Sequence, residues 1–166
     1  MYDIKNTDCL GENGMKTITE HSIDLIICDL PYEVLNKNNE NCQWDKKLPF
    51  DLLWNEYNRV IKENGAIILF SQGMFTAELM LSNKDMWRYN LVWDKCRTTG
   101  FLNSSKMPLR CHEDICVFYK KLPTYNPQME TVSDSEKSHS TGKGTGKLKN
   151  NCYGKFTFQS TEPRKS

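Results

Sequence analysis

IICDLPYEV, residues 26–34, sets an apolar run directly against an aspartate, a proline and a tyrosine. Taken with Ile23, Asp24 and Leu25, the segment 23–29 is largely β-branched and apolar on both parities, the pattern of a strand buried on both faces of a parallel sheet. In open α/β sheets ligands bind beyond the carboxyl ends of strands, and Asp29 stands at such an end. Pro31 fixes its own φ, removes a backbone donor and biases Leu30 toward extended geometry. The Leu30 carbonyl is thereby aimed in a fixed direction outside any helix, beside the Asp29 carboxylate and the ring of Tyr32. Two neighbouring acceptors suit a group with two N–H donors, and a ring above them suits a flat heterocycle. A purine or pyrimidine bearing an exocyclic amine meets both requirements. Such an amine is a poor nucleophile, because its lone pair is delocalised into the ring. Acceptors that hold its hydrogens turn that pair toward an electrophile and stabilise the developing positive charge. A plain Asp-initiated turn with a packed tyrosine competes with this reading if the four letters DLPY stand alone.

The surrounding sequence reads as an alternation of helices and strands. DIKNTDCL opens with a strand-like segment ending at Asp8, and GENGMKTITEHS follows as a small helix or turn. After the DLPY turn, EVLNKNNENCQWDKKL is polar and Asn-rich, a loop longer than a simple connector needs. Residues 50–63 place Phe50, Leu53, Trp54, Tyr57, Val60 and Ile61 on one helical stripe, with Asn64-Gly65 as the stop. AIILF (66–70) is a second buried strand and GMFTAELMLSN a second amphipathic helix. WRYNLVWDK (87–95) and DICVFYK (114–120) supply two further strands. The order predicts an α/β fold with crossover helices.

Beyond Pro123 the pattern stops. Residues 130–151 are rich in Ser, Thr, Gly and Lys without an apolar period, as in a linker, and YGKFTFQST offers one more short strand. We therefore divide the chain into a core, 1–126, and a basic, flexible segment, 127–166. Residues 137–166 hold seven Lys/Arg against one Glu, a net of +6, while the remainder is −5. A basic tail beside an acidic body is compatible with a nucleic-acid contact and equally with a solvated tail.

The 166 residues, 38% hydrophobic and 26% charged, describe a globular chain with enough apolar sequence for one real core. Seven cysteines form no CxxC pair and no zinc-like spacing with histidine, and no signal peptide precedes them, so reduced thiols in a cytoplasmic protein are expected. No apolar run is long enough to cross a bilayer.

DLPY after SIDLIIC resembles motif IV, the Asp-Pro-Pro-Tyr signature of the amino-group DNA methyltransferases, which use S-adenosylmethionine to methylate N6 of adenine or N4 of cytosine. The resemblance extends over roughly residues 3–126 and implies the Rossmann-like α/β fold of S-adenosylmethionine-dependent methyltransferases, in incomplete form. IKNTDCL resembles the family's opening segment, LLWNEYNRVIKENGAIILF its helix and following strand, NLVWDK a later motif and HEDICVFYK the strand after that. Motif IV near the N-terminus resembles the permuted β-type order best known from bacteria and their phages. Tyr32, where cytosine-specific relatives more often carry Trp or Phe, tilts the target toward adenine in double-stranded DNA.

The resemblance implies roles residue by residue. Asp29 and the Leu30 carbonyl would accept the two amine hydrogens, Pro31 would hold the geometry, and Tyr32 would stack on the extruded base. Leu30 stands where the family usually has Pro, a change a backbone acceptor tolerates. Asp8, Cys9 and Asp29 would face the cofactor, with an N-cap role for Asp8 standing beside this one. Trp44, with Asp45 in CQWD, matches a position after the motif IV loop. Lys95, Arg97 and Arg110 flank TTGFLNSSKMP and Lys106 lies within it; the four are candidates for DNA phosphates, with a solvated loop as the equal alternative. His112 and Glu113 resemble a His-Glu pair with a positioning role, and no metal is expected. The family's HPTQKP-like and Gly-rich DPFxGxG-like segments find no match in 127–166. The resemblance therefore implies a catalytic-motif half, with a missing C-terminal half or second chain as partner. A non-catalytic DNA-binding remnant and a cytosine N4 enzyme remain as alternatives.

Overall fold

In the computed structural model, the described residues are 2–35, 40–128, 147–150 and 154–157. The chain divides into a compact unit spanning 1–124 and a second spanning 125–166. The first contains a four-stranded sheet built from β1 (Ile23–Asp29), β2 (Ile61–Ser71), β3 (Trp87–Thr99) and β4 (Arg110–Phe118), in the order β1-β2-β4-β3. The β1–β2 pair is parallel, and β4 runs antiparallel to both β2 and β3. Two helices, α1 (Phe50–Val60) and α2 (Met74–Ser82), complete an α/β fold of the expected class.

α1 forms because its apolar positions recur at helical spacing, and it buries Leu53, Trp54, Tyr57 and Val60. It ends three residues before the predicted boundary. Ile61 still closes a hydrogen bond to the Tyr57 carbonyl but takes an extended ψ of 139°, so strand β2 starts there. Asn64-Gly65, expected to stop the helix, lies instead where the β1–β2 register slips between Ile23↔Ile61 and Leu25↔Ala66. α2 is not the amphipathic helix expected. Phe75 and Leu79 are buried, yet Met74 and Leu81 are exposed on its other side.

The core is one cluster in which Leu53, Trp54 and Tyr57 of α1 and Phe75 and Leu79 of α2 pack on Ile67 and Leu69 of β2 and Cys116 and Phe118 of β4. Trp54 anchors it, its ring 4.9 Å from that of Phe118 and its Nε1–H donating to Ser82 Oγ at 2.8 Å. The opposite sheet face is unlike this one. Leu25 and Ile27 of β1 and Tyr89, Leu91 and Trp93 of β3 are exposed, so β1 is buried on one face only, contrary to its sequence pattern. β1 is also an edge strand.

The opening segment is not a strand: residues 2–8 are irregular and exposed, and the first regular turn is a 3₁₀ helix at Met15–Thr17. Arg59 ties this segment to α1, donating to the carbonyls of Ile18 and Met15 at 2.8 Å each. In the second unit, β5 (Lys147–Asn150) pairs antiparallel with β6 (Gly154–Thr157). β6 falls within the short strand expected there. β5 lies in the stretch read as linker, where Leu148 is its sole large apolar residue, too little for a pattern. Most of 127–166 lies outside the described residues.

Candidate functional site

The sheet register brings the site together. Asp29 pairs with Phe70 at the carboxyl end of β1 and β2, and Ser71, the last residue of β2, pairs with Asp114 in antiparallel β4. Asp29, Gln72 and Glu113 therefore meet at one rim of the sheet, where α/β folds place their ligands.

Leu30 turns its side chain into the core, at 5% exposure, which anchors the chain just beyond Asp29. Asp29 stays exposed and Tyr32 is half-buried. The Tyr32 hydroxyl donates to Asp29 Oδ1 at 2.8 Å, while its ring stacks on Phe75 with centroids 4.9 Å apart and planes inclined by 28°. Burial, followed by this hydrogen bond and the nearby Asp29 charge, raises the phenol well above its usual pKa. It is a donor throughout the ordinary pH range. The phenol thus engages one oxygen of an exposed carboxylate.

A cavity of about 260 Å³ opens here, lined among others by Asp29, Leu30, Pro31, Tyr32, Trp44 and Glu113. A second, of about 290 Å³, shares Tyr32, Val34 and Gln72 as its wall and adds Lys47 and Arg110. Lys47 pairs with Glu78 at 2.7 Å, and Arg110 donates to Gln72 Oε1 at 3.1 Å, so each cation is held by a partner at the cavity edge.

The remaining candidates are spread more widely. Trp44 is 68% exposed yet lines the first cavity. Lys95 pairs with Glu113 at 2.6 Å and lies 5.5 Å from the Trp93 ring centroid. Arg97 and Lys106 are exposed on either side of a 3₁₀ turn at Phe101–Asn103. The His112 carbonyl accepts a long contact of 3.4 Å from Gln72. Asp8 accepts the Leu10 amide at 3.0 Å, the turn-capping geometry weighed against a cofactor role. Burial, then the Asp8 charge, raises the Cys9 thiol, and burial likewise raises Cys28 and Cys116. These thiols are protonated at neutral pH and are not nucleophiles.

Sequence reasoning passed over Gln72 and Lys47 as site residues. Gln72 follows the end of β2 and could have been found by the strand-end rule that singled out Asp29. Lys47 carries no such local mark. Among the described residues, no group of three His, Cys, Asp or Glu is arranged to hold a metal, and no helix is long and apolar enough to cross a membrane.

The DNA methylase family N6_N4_Mtase matches residues 23–165, most of the chain. The chain belongs to this family. It is 28% identical over 167 residues to the Type II methyltransferase M.HinfI of Haemophilus influenzae, covering 82% of this chain and 46% of that protein. To M.HpaI of Haemophilus parainfluenzae it is 26% identical over 129 residues, covering 75% and 41%. The chain thus spans about half the length of these curated relatives. A crystal structure of an M1.HpyAVI–SAM complex superposes with a TM-score of 0.46 at 17% identity, covering 67% of this chain and 52% of that one.

Proposed function

We propose that this chain supplies the amine-gripping site of a DNA methyltransferase that moves a methyl group from S-adenosylmethionine to N6 of adenine. The observation that carries this reading is the exposed Asp29 carboxylate at the rim of a 260 Å³ cavity, oriented by the Tyr32 hydroxyl. Family membership supports amine methylation of DNA and leaves the choice between adenine and cytosine to the chemistry of the turn.

Asp29 and the Leu30 carbonyl accept the two amine hydrogens, and Pro31 stiffens the peptide between them and Tyr32. Phe75 covers one face of Tyr32, and the base takes the other. The extruded base regains by stacking and hydrogen bonding the few kcal/mol lost on leaving the duplex. S-adenosylmethionine supplies an electrophilic methyl on a cationic sulfonium, and the residues present fit such a group. The exposed Asp29 places a carboxylate at this rim, where it favours a positive charge; Glu113 beside it is already paired with Lys95. Asp8 and Cys9 are the proposed contacts toward its adenosyl end. Trp44, Arg97, Lys106 and Arg110 face the DNA, while Lys95, paired with Glu113, holds the strand that leads into their loop.

The test is transfer of label from S-adenosylmethionine to duplex DNA, followed by digestion. Label in N6-methyladenine, lost in Asp29→Ala while circular dichroism and melting stay near those of the unaltered chain, is the expected result. Label in N4-methylcytosine overturns the adenine assignment, and normal turnover by Asp29→Ala removes the motif from the mechanism.

A further inference from the structure

Asp45 is the most enclosed carboxylate near the cavity, 3% exposed, and its hydrogen bonds among the described residues are to backbone amides rather than to a cation. Its two oxygens instead accept three consecutive backbone amides: Glu33 at 3.0 Å, Val34 at 2.7 Å and Leu35 at 2.6 Å. Successive N–H groups converging on one point form an anion-binding nest, and here the anion belongs to the chain itself. Glu33 adopts φ 59°, a left-handed conformation unfavourable for a residue with a Cβ, so the nest exists only while something holds it. Burial alone would raise the Asp45 carboxyl, but the amides of Leu35, Glu33 and Val34 outweigh it and keep the group below its usual range.

The position of this nest gives it a role. Glu33 follows Tyr32 directly, and Val34 and Leu35 line the same cavity as Asp29. Asp45 is itself fixed from behind, its amide donating to the Cys42 carbonyl at 3.0 Å. Without the carboxylate, three donors would converge on an enclosed point with no acceptor, and the wall beside Tyr32 would open to recover water.

We propose that Asp45 is a positioning residue of the amine-gripping site: its carboxylate locks residues 33–35 and so holds Tyr32 over the cavity. The inference rests on the base-gripping reading for its function and on the three amide contacts for its geometry. Asp45 contributes no atom to the reaction. Trp44, next to it, is carried to the cavity mouth by the same lock.

Nuclear magnetic resonance on the full chain tests this directly. The unaltered chain is expected to show through-hydrogen-bond couplings from the amide nitrogens of 33–35 to the Asp45 carboxyl carbon, and their absence overturns the proposal whether or not any variant folds. In Asp45→Asn, amide exchange at 33–35 is expected to quicken at least tenfold while β2 and β4 amides keep their rates. Uniformly faster exchange across the sheet assigns Asp45 to fold stability alone and overturns the positioning role. Titration with 9-methyladenine, followed at Asp29–Tyr32, should weaken about tenfold in Asp45→Asn, and unchanged affinity also overturns it. If the unaltered chain shows no 9-methyladenine shifts there, the base-gripping reading fails, and the positioning role falls with it. The couplings separate that failure from a failure of the lock.

Discussion

The contact between Tyr32 and Asp29 can be measured on its own. Tyr32→Phe removes the hydroxyl that donates to Asp29 Oδ1 at 2.8 Å and leaves the ring on Phe75 at 4.9 Å. A hydrogen bond to a charged acceptor contributes about 1.5–3 kcal/mol where water is excluded. Asp29 is exposed, so solvent screening lowers this, and the coupling expected is about 1 kcal/mol. For a chain of this size that corresponds to roughly 2–4 °C in melting temperature. The assay is a double-mutant cycle by urea unfolding of the unaltered chain, Tyr32→Phe, Asp29→Asn and the double variant. Asn keeps the shape of Asp29 and removes its charge, so the cycle reads the charged part of the bond. Single variants whose costs add to within about 0.3 kcal/mol would show that the phenol and the carboxylate do not act on each other. The picture of a pre-aimed acceptor would then be wrong.

Gly65→Ala would place a Cβ 2.7 and 2.8 Å from the Cγ1 and Cδ1 of buried Ile61, and 3.0 Å from the Asp24 carbonyl. The expected cost is about 1–3 kcal/mol in urea unfolding, and an unchanged midpoint would mean that the β1–β2 slip is looser than described. Acid should act through Asp45, whose folded carboxyl lies below its unfolded value. Its stabilisation is therefore complete above the unfolded value and lost as pH falls through the folded one. The stability gap between the unaltered chain and Asp45→Asn should accordingly narrow as pH falls from about 5 through the ordinary carboxylate value and beyond it. A gap constant over that span would refute the linkage.

The site's centre was legible because its signal is local: an apolar run, a carboxylate, a proline and an aromatic within a few residues. The same locality made α1, β2 and β4 readable from their spacing. Other features depended on distant partners. Residues 3–8 have strand-like composition, but among the described strands they pair with none, and propensity alone does not make a ladder. α1 stopped early because the residues from Ile61 onward pair with β1, which no helical stripe encodes. In sequence Asp45 is marked only as the neighbour of Trp44 in CQWD and its role was missed, since a nest is built from backbone amides and leaves no mark in side-chain letters. Lys95, read as a candidate for DNA, is held by Glu113 across the β3–β4 ladder, a pairing that needs the register to be known.

The exposed side chains Leu25, Ile27, Tyr89, Leu91 and Trp93, together with an edge of β1 that pairs with no other described strand, make this chain adhesive in isolation. A fluorescent dye that brightens on greasy surfaces should light up on the native state, before any unfolding. Preparations should stay clear when dilute and turn cloudy as they are concentrated, so binding studies belong at the low end of the concentration scale.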